Sequence, residues 1–180
     1  MAPDLDPEVI TALEAAAATD RPRAALAPIL GEILSNGRSK AAQRLVQGAG
    51  GVEVARLYAR AADRMVQSLW WVTTEHLFPA PNPTDAERLA LLAVGGYGRG
   101  VLAPHSDLDL MFLRPWKSTS RTEQVTEFVL YVLWDLGLKI GSTSRSMDEA
   151  LSVGKSDMTV RTALLEARYA EFDGLNLTWE

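Results

Sequence analysis

Length, composition and charge describe an ordinary globular protein and exclude several functional classes. The chain has 180 residues, 47% of them hydrophobic and 23% charged, with a formal net charge of −5 at pH 7. These proportions are typical of a soluble domain with a core, or of a small domain with a helical arm. An acidic chain is a poor general nucleic-acid binder, because such proteins present a basic surface. The sequence contains no cysteine, which excludes disulfide bonds and thiolate metal sites.

The sequence shows no targeting or membrane-spanning pattern. Residues Met1–Pro7 are acidic and lack the basic and then apolar order of a secretion signal. The longest apolar stretches are interrupted by charges before they reach the length of a membrane span. We therefore expect a cytoplasmic protein that binds neither membrane nor nucleic acid. The sequence leaves the oligomeric state open.

Residues 1–80 are predicted to form a helical region. Asp6 followed by Pro7 is typical of an N-cap and a first helical residue, and predicts a helix to about Ala18. Apolar periodicity and glycine-rich stops predict further helices from Pro22 to Asn36–Gly37, over Ser39–Gln47, and from Val52 to about Leu77. Trp70 and Trp71 continue the apolar stripe of the last helix, so we expect them in the core.

Residues 81–180 are predicted to form a second, mixed region. Strands are expected at Leu89–Val94, Leu108–Leu113 and Leu138–Thr143. Capping boxes predict helices that begin at Ser120 and Ser146, and Ser156 or Asp157 would cap a last helix to about Ala170. The predicted fold is thus α+β, a helical arm or bundle followed by a small mixed sheet. The segment 172–180 shows no clear domain end, which suggests truncation at the C-terminus.

The most informative segment is Leu91–Leu113, LLAVGGYGRGVLAPHSDLDLMFL. An apolar strand runs into a glycine-rich turn, and a second strand opens with Asp107 and Asp109. Glycines let a backbone approach phosphate closely, because no Cβ is in the way. Aspartates at positions i and i+2 of a strand point to the same face, where they can hold divalent cations. The segment therefore predicts a site for a metal-bound nucleoside triphosphate.

Two other glycine-rich phosphate motifs do not match this segment. A dinucleotide-binding turn would need a third glycine at position 101, which is Val101. A P-loop needs a lysine after its last glycine, and no lysine occurs between Arg88 and Lys117. No helix clearly follows the turn either, since Pro104 interrupts the chain before the next strand.

The glycine pair Gly95–Gly96 and the later aspartates resemble the signature of the DNA polymerase β-like nucleotidyltransferase superfamily. The longer string from Val94 to Asp107 is similar to the PII uridylyltransferase family, as are residues 131–139 and 157–168. The resemblance covers about Leu89–Arg168. It implies transfer of UMP from UTP to a tyrosine of the PII nitrogen-regulatory protein. It also implies that two Mg²⁺ ions serve as cofactor.

The resemblance assigns roles to six residues. Asp107 and Asp109 would be metal ligands and catalytic residues, since carboxylate oxygens suit Mg²⁺. The nucleotide would be bound by the backbone of Gly95 and Gly96, by the Arg99 guanidinium and by Ser106, although Ser106 could instead only shape the start of the strand. Neighbouring Tyr97 and His105 are expected to pack within the loop.

The sequence departs from the superfamily pattern in one catalytic feature. The superfamily commonly supplies a third carboxylate from a later strand, and the segment Leu138–Thr143 contains no acid. Asp148 and Glu149 follow, but both are explained by the start of a helix. Lys139 and Arg145 flank the same strand and are candidates for triphosphate contacts.

The resemblance also implies a much longer enzyme with a His-Asp hydrolase domain and ligand-sensing domains. His76 and His105 are the two histidines of this chain. We therefore expect a fragment or a shortened relative, which cannot remove uridylyl groups. Two alternatives remain open at this point: an adenylyltransferase of the same superfamily, and a non-catalytic module that binds nucleotide or protein.

Overall fold

The computed structural model describes residues 3–81 and 84–172. Its helices are α1 (Pro7–Ala17), α2 (Pro22–Val46), α3 (Gly51–Val72), α4 (Gly95–Gly98), α5 (Ser120–Asp135), α6 (Met147–Ser156) and α7 (Met158–Leu165). Its strands are β1 (Ala90–Ala93), β2 (Leu108–Arg114), β3 (Ile140–Ser146) and β4 (Arg168–Phe172). Residues 173–180, where the sequence shows no clear domain end, lie outside the described residues.

The N-terminal residues form the predicted helical region, with one correction. Asp6 caps α1 by accepting a hydrogen bond from the Glu8 N–H at 3.0 Å. The predicted break at Gly37 is wrong, because α2 continues through it to Val46. A Cβ added to Gly37 would lie 2.5 Å from the Cβ of Ala61 on α3. Gly37 therefore serves close helix packing, and its presence does not end the helix.

The third helix connects the helical region to the sheet. α3 ends in a π-helical turn, Thr73–Leu77, and its indole residues Trp70 and Trp71 are buried as predicted. The ring centroids of Trp70 and Phe112 on β2 are 6.3 Å apart. One hydrophobic core thus continues from the helices into the sheet, and a domain division near residue 80 stays a prediction.

The sheet is small and mixed, as predicted, with the strand order β3-β2-β1-β4. β1 is antiparallel to both β2 and β4, and β2 is parallel to β3. Leu108, Leu110 and Phe112 of β2 face the main core. Because side chains alternate between the two faces of a strand, Asp109 and Met111 lie on the opposite face. Met111 belongs to a smaller hydrophobic cluster there, which residues of α7 pack against.

Two local predictions in the second region are wrong. The cap of α5 is Thr119, one residue before Ser120, and it exchanges hydrogen bonds with Thr122. The last predicted helix ends at Leu165, and Arg168–Phe172 forms the edge strand β4. Pairing with the free edge of β1 determines the extended conformation of this segment. A contact between residues so far apart in the chain cannot be predicted from local sequence.

The predicted N-caps of α6 and α7 are confirmed at Ser146 and Asp157. Gly137 follows α5 with a φ of 68°, a left-handed conformation that suits glycine. Ser146 and Glu149 form the predicted capping box of α6. The backbone hydrogen bond from Ser146 lowers the pKa of the Glu149 carboxyl.

Among residues 3–81 and 84–172, no helix has both the length and the apolar character needed to cross a membrane.

The packing of Gly37 can be tested by Gly37→Ala. The added methyl group overlaps Ala61, so we expect a loss of about 1–3 kcal/mol of unfolding free energy despite the better helix propensity of alanine. Chemical denaturation measures this change. Gly51→Ala is the control, because nothing lies within 4 Å of its added Cβ. Equal stability of the two variants would contradict the close approach of α2 and α3.

Candidate active site

The glycine-rich segment forms one short helical turn beside the start of β2. β1 ends at Ala93, and the Val94 N–H donates to the Asp109 carbonyl at 3.0 Å. Gly95 follows with a φ of 58°, where glycine is favoured over other residues. Residues Gly95–Gly98 then form α4. The expectation of a turn without a helix is therefore corrected: a single helical turn lies directly against the aspartate strand.

Asp109 packs directly against this turn. Its Oδ2 atom lies 2.8 Å from the position that a Cβ of Gly95 would occupy, so a side chain there would force the carboxylate to move. Burial raises the pKa of the Asp109 carboxyl, and the nearby charge of Asp107 raises it further. Two like charges beside each other favour a bound cation between them. The donor set and its electrostatics therefore fit a hard divalent metal ion.

The neighbouring strand contributes a glycine that the sequence analysis did not select. β3 pairs in parallel with β2, and Gly141 lies opposite Asp109. A Cβ on Gly141 would overlap the Asp109 Oδ1 atom. A glycine inside a strand often marks a close approach, and this was the available signal. Asp109 thus lies in a slot between Gly95 and Gly141, which we call the glycine slot.

Arg99 and Ser106 have partners within the chain. The Arg99 Nη1 atom contacts the Glu166 carboxylate at 2.6 Å, while its Nη2 atom lies 3.5 Å from the position of a Gly96 Cβ. The guanidinium is therefore held close to the glycine turn. The Ser106 Oγ accepts a hydrogen bond from the Ala103 N–H at 3.2 Å, so this hydroxyl at least shapes the loop.

Parallel pairing of β2 and β3 separates the charged candidates on and after β3. The Leu108 N–H donates to the Lys139 carbonyl at 2.9 Å, which places Lys139 at the aspartate end. Arg145 pairs with Leu113, near the other end. Ser146 lies five residue pairs along the strands from the pair of Asp109 and Gly141, roughly 17 Å away at the usual rise per residue. Asp148 comes two residues after Ser146. The structure therefore brings Lys139 near the site and places Asp148 away from it.

The described residues supply two close carboxylates at this position. Within residues 3–81 and 84–172, no group of three or more His, Cys, Asp and Glu side chains could hold a metal ion. The third carboxylate that the superfamily commonly supplies is therefore not found beside this pair among the described residues.

A partly buried ion pair joins the site to the helical region. Arg168 at the start of β4 binds the Asp63 carboxylate of α3 at 2.6 Å and donates to the Tyr97 carbonyl at 3.2 Å. Its guanidinium carbon also lies 5.0 Å from the centre of the Tyr97 ring. Tyr97 is fully buried, and burial raises the pKa of its hydroxyl. Tyr97 was expected to pack within the loop, but it lies in α4 and belongs to the main hydrophobic core, where Arg168 links it to α3.

The fold is α+β, with a helical arm and a small four-stranded mixed sheet, which is consistent with a nucleotidyltransferase-like protein. Over 146 residues the chain is 56% identical to the bifunctional uridylyltransferase/uridylyl-removing enzyme of Phenylobacterium zucineum and 53% identical to that of Caulobacter vibrioides. Over 150 residues it is 48% identical to the enzyme of the same name from Azospirillum brasilense. No known family profile matches the chain.

The resemblance to uridylyltransferases is thereby confirmed. These alignments cover 81–83% of this chain and 16% of each relative's length. Most of this chain is therefore homologous to a segment of enzymes named for uridylyl transfer and removal. The activity, substrates and partners of those longer proteins do not pass to this segment by homology alone.

The link between α3 and the glycine turn can be measured with a double-mutant cycle. Asp63 and Arg168 have side chains only 21% and 31% exposed, so we expect Asp63→Ala and Arg168→Ala to couple by about 1–3 kcal/mol in unfolding free energy. The pair of Arg44 and Glu53 is the control, since its side chains are 52% and 49% exposed and solvent weakens such pairs. Equal coupling in both cycles would show that the Asp63–Arg168 contact has no special role.

Proposed function

We propose that this chain is a nucleotidyltransferase domain that transfers UMP from UTP to a tyrosine of the PII nitrogen-regulatory protein. The proposal is carried by one observation, the packing of the Asp109 carboxylate directly against Gly95. Nucleotidyl transfer needs carboxylates for a metal ion beside a backbone that can approach phosphate. The names of the homologous relatives support uridylyl as the transferred group.

Asp107 and Asp109 are the residues that would hold Mg²⁺. Their oxygens suit a hard cation, and their mutual repulsion is relieved when a cation binds. Two Mg²⁺ ions bound there would neutralise charge on the triphosphate and on the attacking hydroxyl. Without such a cation the same carboxylates repel a triphosphate, so nucleotide affinity should depend on divalent metal.

The glycine turn would bind the phosphates of the nucleotide. The N–H groups at the beginning of a helical turn have no partner within it, and Gly95 and Gly96 begin α4. Neither glycine has a side chain that would block a phosphate. Arg99 keeps one guanidinium nitrogen near Gly96 while Glu166 holds another. Ser106 would support the loop before Asp107, and its hydroxyl is also a candidate phosphate contact.

Uridylyl removal is not part of the proposal. Hydrolytic metal sites rich in His and Asp need several ligands in one place. His76 packs edge-on against Trp71, with ring centroids 4.7 Å apart, and His105 lies in the loop before Asp107. The two histidines belong to separate segments, so we propose that this chain transfers uridylyl groups without removing them.

Isothermal titration of UTP with Mg²⁺ tests the proposed site. Asp107→Asn and Asp109→Asn remove metal-binding charge, and we expect each to weaken UTP binding at least about tenfold, or 1.4 kcal/mol. Asp148→Asn is the matched control, because Asp148 lies beyond the other end of β3. Normal binding by both site variants, or equal loss in the control, would exclude this site.

A transfer assay then separates the remaining functions. With PII protein and Mg²⁺, incubation with UTP should add UMP to a PII tyrosine and release pyrophosphate, detected as a mass increase of PII, whereas incubation with ATP should leave PII unmodified. Orientation of the acceptor accounts for several kcal/mol of such a barrier, and no third acid is found among the described residues. We therefore expect slow transfer compared with a full-length relative. Transfer of AMP from ATP, with no transfer from UTP, would support an adenylyltransferase. Nucleotide binding without any transfer would support a non-catalytic module.

A further inference from the structure

We propose that Gly141 is a positioning residue for Asp109: the lack of a side chain at position 141 lets the carboxylate lie in the glycine slot. The steric part of this inference rests on the structure alone. Its consequence for nucleotide binding rests on the proposed function. Nothing in the glycine–aspartate motif itself includes Gly141, which lies on a later strand.

The two Asp109 oxygens face different backbones. Oδ2 lies against Gly95, which follows β1, and Oδ1 lies against Gly141 on β3. β1 and β3 are the two neighbours of β2 in the sheet. The carboxylate is therefore confined from both sides of its own strand, and a side chain on either glycine would compete for the same space.

Space, and not backbone conformation, requires glycine at position 141. Gly95 has a positive φ, whereas Gly141 is not among the residues with positive φ. Gly141 lies in a regular parallel pairing that runs from Ile140 to Ser146. Glycine weakens a strand relative to alanine, so local stability alone would favour a side chain here. The overlap with Oδ1 is the structural reason against one.

A methyl group at position 141 would have a local and a functional effect. Either the Asp109 side chain rotates away or β3 separates from β2. Both changes move the carboxylate relative to Asp107 and to the glycine turn. Mg²⁺ demands near-ideal octahedral geometry at short distances, so a displaced carboxylate should bind the metal and its triphosphate less well.

The alternative is that Gly141 serves packing unrelated to Asp109. The two roles differ in a double-mutant cycle. If the overlap with Asp109 is the constraint, Gly141→Ala should destabilise the wild-type chain but not the Asp109→Ala chain, where the carboxylate is absent. If Gly141 serves general packing, the loss should be the same in both backgrounds.

The experiment compares Gly141→Ala, Asp109→Ala and the double variant, with Ser142→Ala as the control. Ser142 is the next residue of β3, is exposed, and pairs with Leu110 on the opposite face of the sheet. Chemical denaturation gives the stabilities, and titration gives the affinity for UTP with Mg²⁺. We expect Gly141→Ala to lower the affinity at least tenfold, while Ser142→Ala stays within twofold of wild type. We also expect the destabilisation by Gly141→Ala to disappear in the Asp109→Ala background.

Two results would overturn the inference: wild-type affinity in Gly141→Ala while Asp109→Ala loses affinity, or equal destabilisation by Gly141→Ala in both backgrounds. Failure of the proposed function has a different signature. If Asp109→Ala binds UTP like wild type, Asp109 does not belong to a nucleotide site, while coupling between positions 109 and 141 in stability would still support the steric positioning.

Discussion

A half-buried carboxylate between two backbones is the constraint on which the site depends. Asp109 lies on β2, an inner strand of the sheet, with the glycine turn on one side and β3 on the other. Burial and the charge of Asp107 both disfavour its ionised form, and a folded chain tolerates such a cost where function uses it. Glycine at positions 95 and 141 provides the space, and a bound cation would provide the missing charge.

The helical region packs against the sheet and contacts the strands that carry the site. Trp70 carries the core from α3 into β2, and Asp63 on the same helix binds Arg168 of β4. Arg168 in turn contacts both the carbonyl and the ring of Tyr97 in the glycine turn. Helices, edge strand and turn therefore meet at one guanidinium. A change in the packing of α3 has a direct structural route to the backbone of Gly95–Gly98, the proposed phosphate-binding turn.

Local patterns in the sequence were sufficient for most of the architecture. Capping residues, apolar periodicity and the glycine–aspartate spacing predicted the α+β fold and the strand that carries Asp109. Asp107, expected on the same strand, lies in the loop directly before β2. Three features depend on distant contacts and could not be predicted locally. Gly37 packs against another helix, the segment after Leu165 becomes a strand only by pairing with β1, and Gly141 faces Asp109 only through the register of β3 with β2.

Paramagnetic broadening by Mn²⁺ tests the central claim most directly, because it locates the metal without requiring turnover. Nuclear magnetic resonance spectra of the labelled chain are recorded with UTP, before and after addition of substoichiometric Mn²⁺. The account predicts selective loss of the amide signals of Gly95, Gly96, Asp109 and Gly141, with the signal of Asp148 retained. Broadening centred on Asp148, or no selective broadening near the glycine slot, would contradict it.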